Sequence, residues 1–122
     1  ITELVEFLQR SPEMTAVICL NDLAAADLLR AARLAGRIVG QDLSIMGFDN
    51  IGISANLEPA ISTVNCPTYE IGKAAARILL SELDGTAQGP LGQTLPMELV
   101  LRESCAAPML REVVDGSDVR FG

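Results

Sequence analysis

Two short apolar runs, each ending abruptly in a pair of polar residues, organise the first half of the chain. Ala16-Val17-Ile18-Cys19-Leu20 stops at Asn21-Asp22, and Leu43-Ser44-Ile45-Met46-Gly47-Phe48 stops at Asp49-Asn50. Short runs of this composition predict buried strands, the first covered on both faces of a sheet. Between them, alanines and leucines at helical spacing from Leu23 to Ala35 predict a helix. Asn21 or Asp22 can cap its start, and Gly36 closes it with Arg33 and Arg37 near the negative end. The helix face of Ala24, Leu28, Ala31 and Ala35 is expected to cover the sheet, while Asp22 is assigned mainly to capping. A strand-helix-strand crossover of this kind is right-handed and sets its strands parallel, so Asn21 and Asp49 emerge on one edge. A third run, Ile61 to Asn65, is followed by Cys66-Pro67 and brings Cys66 to the same rim. Ligands of open α/β sheets bind at that carboxyl edge.

The flanking segments extend this pattern. Ile1, Leu4, Val5 and Leu8 trace the apolar stripe of a first helix that has no start signal before it. After Pro67, the residues Ile71, Ala75, Ile78, Leu79 and Leu83 lie along one side of another helix, ended by Gly85 and expected to pack on the sheet. Thr86 to Gln93 lacks periodicity and reads as a surface loop. Met97, Leu99 and Leu101 then alternate with Glu98, Val100 and Arg102, as in a strand near an edge with one wetter face. The expected architecture is α/β: an open, mostly parallel sheet flanked by helices over residues 1–108. Residues 109–122 are expected to form a polar, mobile tail.

Composition narrows what such a lobe can do. The 122 residues suffice for one domain with a real core, and the net charge of −7 argues against this piece gripping a phosphate backbone. No stretch has the length and apolarity of a membrane span, so no membrane partner is expected. Cys19, Cys66 and Cys105 are an odd number without CxxC spacing, which disfavours a disulfide framework or zinc site and fits a reducing cytoplasm. Cys19 reads as a small core residue. The chain has no histidine, no P-loop, no GxGxxG after a strand and no GxSxG elbow, so the expectation is a non-enzyme without cofactor or metal.

The pieces Thr15-Ala16-Val17-Ile18-Cys19-Leu20-Asn21-Asp22-Leu23-Ala24-Ala25, Asp42-Leu43-Ser44-Ile45-Met46-Gly47-Phe48-Asp49-Asn50, Pro59 with Ser62-Thr63-Val64, and Leu99-Val100-Leu101-Arg102-Glu103-Ser104-Cys105 resemble, in that order and spacing, the effector-binding domain of the LacI/GalR family of bacterial transcription regulators. The resemblance covers the chain to about Pro108 and implies a periplasmic-binding-protein-like type I lobe, the C-terminal half of a two-lobed cleft. A first lobe and a DNA-binding helix-turn-helix would precede it in the parent, so operator DNA would be a partner only through that absent domain. The resemblance further implies a small, sugar-like effector contacted by Asn21 and Asp49. Cys66 falls where many members carry glutamine or another polar group, a departure that shifts the role to a weaker hydrogen-bonding thiol or to Asn65 or Thr68. It also implies a homodimer contact, which we place at Ala26, Arg30, Ile53, Asn56 and Leu57. An exported solute-binding protein of a transporter is the main alternative on the same fold, and a sugar-modifying enzyme a third.

Overall fold

The computed structural model describes residues 1–87 and 92–107. Part of the expected Thr86–Gln93 loop and the whole expected tail at 109–122 lie outside the described residues. In chain order the elements are α1 (Thr2–Arg10), β1 (Ala16–Ile18), α2 (Asp22–Leu34), β2 (Ser44–Met46), α3 (Gly52–Asn56), β3 (Thr63–Asn65), α4 (Thr68–Leu83) and β4 (Glu98–Val100).

β1 and β2 run parallel with Ala16, Val17 and Ile18 opposite Ser44, Ile45 and Met46. β3 and β4 run antiparallel, Thr63 facing Val100. The two pairs join through a parallel bridge between Met46 and Ser62, extended by Gly47 N–H donating to Ser62 O at 2.8 Å and Asp49 N–H to Val64 O at 2.9 Å. Below that bridge β2 and β3 diverge, and the segment Arg102–Cys105 fills the gap. There the fully buried Ser104 donates from Oγ to Ile45 O at 2.6 Å, and accepts at Oγ from Ser62 N–H at 2.8 Å. Its backbone completes the seam, receiving Ile45 N–H and donating to Ala60 O. A serine suits this place because its one hydroxyl both donates and accepts, leaving no buried polar atom unpaired.

The core lies on one face of the sheet. Leu8 of α1, Ala25, Leu28, Leu29, Ala31 and Ala32 of α2, and Val39, Leu43, Ile45 and Ile61 form one buried cluster. α2 is therefore rotated slightly from the expected face, since Ala24 is exposed and Ala25 and Ala32 are buried. The expected N- and C-termini of α2 hold: Asn21 Oδ1 accepts from Ala24 N–H at 2.9 Å, and Gly36 follows the helix with φ +75, a conformation suited to glycine. Arg37 then folds back, donating from Nε to Asp42 Oδ2 at 3.0 Å and from Nη2 to Met14 O at 2.7 Å, which ties the turn after α2 to the entry of β1.

Two sequence expectations are corrected. β1 is covered on one face only: Val17 and Cys19 pack toward the core, whereas Ile18 is 78% and Leu20 87% exposed. The helices α1 and α2 supply cover for a single side, so an apolar run of both parities did not mean two covered faces. α4 has no buried residue and does not pack on the sheet. Ile71, Ala75 and Ile78 instead line a shallow cleft against Thr94, Leu95 and Met97, and no element among the described residues buries the rest of the apolar side of α4, where Leu79 and Leu83 stay exposed.

Candidate functional site

The ladder bonds at the strand ends bring the expected polar loops together. Beyond β1, Cys19 N–H donates to Met46 O at 2.7 Å and Asp22 N–H to Phe48 O at 2.9 Å. Asn21 therefore sits beside the Phe48-Asp49 step. On the other side Asp49 N–H is bonded to Val64 O, so Asp49 adjoins Asn65 and, one residue on, Cys66. Asn21, Asp49 and Cys66 share one rim at the carboxyl ends of three neighbouring strands, and all three are half-buried.

The backbone at this rim is unusual. Asp49 has φ +95 and Asn50 φ +54, two consecutive non-glycine residues in the positive-φ region. Aspartate and asparagine tolerate the left-handed region better than other residues, and such strain persists only where the surroundings hold it. Two side chains do so here. Asp22, fully buried, accepts from Thr63 Oγ1 at 2.5 Å and from Ile51 N–H at 2.8 Å. Arg102 donates from Nη2 to Asn50 Oδ1 at 2.7 Å, and from Nη1 to Ile61 O at 2.6 Å and Ser54 Oγ at 3.2 Å. Asn50 in turn donates from Nδ2 to Asn65 Oδ1 at 3.1 Å.

The assignment of Asp22 to capping is thus corrected. Asn21 provides the cap, and the Asp22 carboxylate is the buried link from α2 to β3 and to the start of α3. It occupies the positive end of α2, where a carboxylate is favoured. Gly47 is needed beside it, because a Cβ at that position would run into Oδ1 of Asp22. Sequence reading missed the part Arg102 plays at the rim: the residue stands in the late Leu99–Cys105 piece that resembles the family, but nothing in that piece points to Asn50 as its partner.

The residues expected at a dimer contact lie on α2, on α3 and just after it. Arg30, Ile53 and Asn56 are exposed, Ile53 by 42%, while Ala26 and Leu57 are half-buried against the core cluster. Burial raises the Cys19 thiol pKa above its ordinary value, in keeping with a core role. Among the described residues no group of histidine, cysteine or acidic side chains could hold a metal ion. None of the described helices is long and apolar enough to cross a membrane.

A parallel-stranded α/β lobe with its polar loops gathered at the carboxyl edge is the architecture of a ligand-binding lobe of the periplasmic-binding-protein type. A family model described as periplasmic binding protein-like domain matches residues 2–105. The transcriptional regulator CelR of Thermobifida fusca is 34% identical over 99 residues, covering 81% of this chain and 29% of its own. The solved complex of CelR with cellobiose superposes with a TM-score of 0.77 at 33% identity, over 84% of this chain and 31% of that one. A LacI-family regulator from Arthrobacter sp. FB24, solved with lactose, gives a TM-score of 0.74 at 36% identity, over 84% of this chain and 40% of that one.

The chain belongs to the periplasmic binding protein-like domain family, and within it to the effector-binding domain of LacI/GalR-type transcription regulators. It spans less than a third of the length of the curated relatives it matches. Those relatives are named as regulators rather than enzymes, in line with the non-catalytic expectation.

Proposed function

We propose that this lobe is the effector-sensing half of a sugar-responsive, DNA-binding transcription regulator. A small polar metabolite, of the saccharide class, would lie between it and a second lobe, held from this side by Asn21 and Asp49, with Cys66 on the same rim. The observation that carries this reading is the pair of ladder bonds, Asp22 N–H to Phe48 O and Asp49 N–H to Val64 O, which gathers three polar loops on one edge. A carboxylate there can accept from two neighbouring hydroxyls, and a carboxamide can donate and accept, which suits a sugar. The relatives solved with cellobiose and with lactose support the same class of ligand.

The regulator would work in the cytoplasm as a homodimer through Ala26, Arg30, Ile53, Asn56 and Leu57, with operator DNA bound by a separate domain. Effector binding alters operator affinity only if the effector binds the two lobe arrangements unequally. The test is on the complete protein. Its melting temperature is measured against a panel of mono- and disaccharides including cellobiose and lactose, and its operator affinity by fluorescence anisotropy with and without any binder. A saccharide that stabilises the protein and shifts operator affinity is expected. No stabilisation by any member of the panel would sink the reading, and saccharide binding without operator affinity would favour the transport alternative.

A further inference from the structure

The bonds around Arg102 fix more than the backbone. A guanidinium only donates, so the atom that Asn50 turns toward Arg102 Nη2 must be its carbonyl oxygen, at 2.7 Å. That forces Asn50 Nδ2 to the other side, where it meets Asn65 at 3.1 Å. Facing a donor, Asn65 must present Oδ1, and its own NH2 is turned away from this contact. The amide has no further bond to the described residues, and Asn65 is half-buried at the end of β3, beside Asp49. Alternation along β3 puts Thr63 and Asn65 on one face, the face held by Asp22 and Asn50. The result is a relay of fixed polarity: Arg102, Asn50, Asn65, then a donor at the rim.

We propose that Asn65 is a specificity-determining contact of this lobe, donating its side-chain NH2 to a ligand hydroxyl or ether oxygen next to the one held by Asp49. Arg102 and Asn50 are positioning residues that set which way the Asn65 amide points. This rests on the sugar-binding reading of the rim and adds to it a residue and a polarity. The rim then offers a carboxylate acceptor and an oriented amide donor side by side. It selects ligands whose adjacent oxygens can serve one as donor and one as acceptor. The half-buried thiol of Cys66 is not required for that hydrogen bond.

The experiment uses the complete regulator and the tightest binder found among the mono- and disaccharides of the panel, cellobiose and lactose included. Asn65→Leu removes the donor at similar size. Asn65→Asp keeps an acceptor for Asn50 Nδ2 while removing the NH2. Each variant is expected to bind about three- to tenfold more weakly by calorimetry, with a melting temperature near that of the wild type. Analogues of the binder with one hydroxyl at a time replaced by hydrogen give the decisive readout. One of them is expected to bind wild type and Asn65→Leu equally, and Arg102→Met to lose discrimination against that same analogue. Equal affinity of wild type and both folded Asn65 variants for a saccharide that binds overturns this inference alone and leaves the functional reading standing. If no saccharide in the panel binds the wild type, the functional reading fails and this inference falls with it.

Discussion

Replacing Gly47 by alanine drives a methyl group into the Asp22 carboxylate. That carboxylate cannot swing aside freely, because it is fully buried and accepts from both Thr63 Oγ1 and Ile51 N–H. Overpacking a filled site costs about 1–3 kcal/mol, and displacing the carboxylate forfeits hydrogen bonds to a charged group at about 1.5–3 kcal/mol each. Gly47→Ala is therefore expected to destabilise by about 2–4 kcal/mol. Asp22→Ala by itself removes both bonds and leaves Ile51 N–H unpaired, a loss of about 3–5 kcal/mol. In the double variant the methyl enters space the carboxylate has vacated, although its approach to Asp22 Cα at 3.1 Å remains tight. The double variant should thus be little worse than Asp22→Ala, an interaction energy of about −1 to −3 kcal/mol. Urea unfolding of the wild type and three variants, followed by circular dichroism, measures it. Additivity within about 0.5 kcal/mol would refute the close contact between residues 22 and 47.

The site itself makes further demands. Asp49→Ala in the complete regulator should weaken saccharide binding about tenfold to a hundredfold with little change in melting, since a hydrogen bond to a charged group contributes about 1.5–3 kcal/mol; undiminished affinity in calorimetry would remove Asp49 from the contact set. Ala26→Glu places a charge on the α2 surface beside α3 and should shift sedimentation of the complete protein toward monomer, and an unchanged dimer at micromolar concentration would displace the proposed interface. Because burial raises the Cys19 thiol pKa, its thiolate fraction at any pH below that value is smaller than that of a free cysteine. Iodoacetamide should accordingly label Cys19 more slowly at pH 8 than it labels a short cysteine peptide, and equal rates would contradict the half-buried placement.

What the sequence revealed followed from local signals. The turn from Leu20 to Asn21, the helical spacing to Leu34, and the turn from Phe48 to Asp49 each rest on a few adjacent residues, and the crossover rule then fixes their common edge. The failures share a different cause. Asp22 looked like a cap because capping is judged within one turn of helix, whereas its partner Thr63 is 41 residues away. Arg102 reaches Asn50 across 52 residues, and nothing in the alternation around it distinguishes that role from a solvent-facing charge. Exposure of Ile18 and Leu20 was equally invisible, since periodicity reports apolar character and not which neighbour is present to cover it.

One proposed ligand residue, Asp49, and three of the five proposed dimer residues, Ile53, Asn56 and Leu57, lie on one short segment, Asp49 to Leu57, and this constrains how the two sites could communicate. The segment is pinned at both edges: Ile51 N–H to Asp22 on one side, Asn50 and Ser54 to Arg102 on the other, with Ser54 Oγ closing back on Ile51 O at 2.8 Å. Sliding α3 relative to the rim would break at least two bonds to charged side chains, about 3 kcal/mol or more. Coupling between sites in regulated proteins is usually about 1–3 kcal/mol, so that route is as costly as the whole signal or more. Packed interiors respond to such a choice by moving as units, not by deforming continuously. A ligand held at Asp49 would therefore carry α2, α3 and the rim together, and its effect on a partner subunit would be a change in the tilt of the whole lobe.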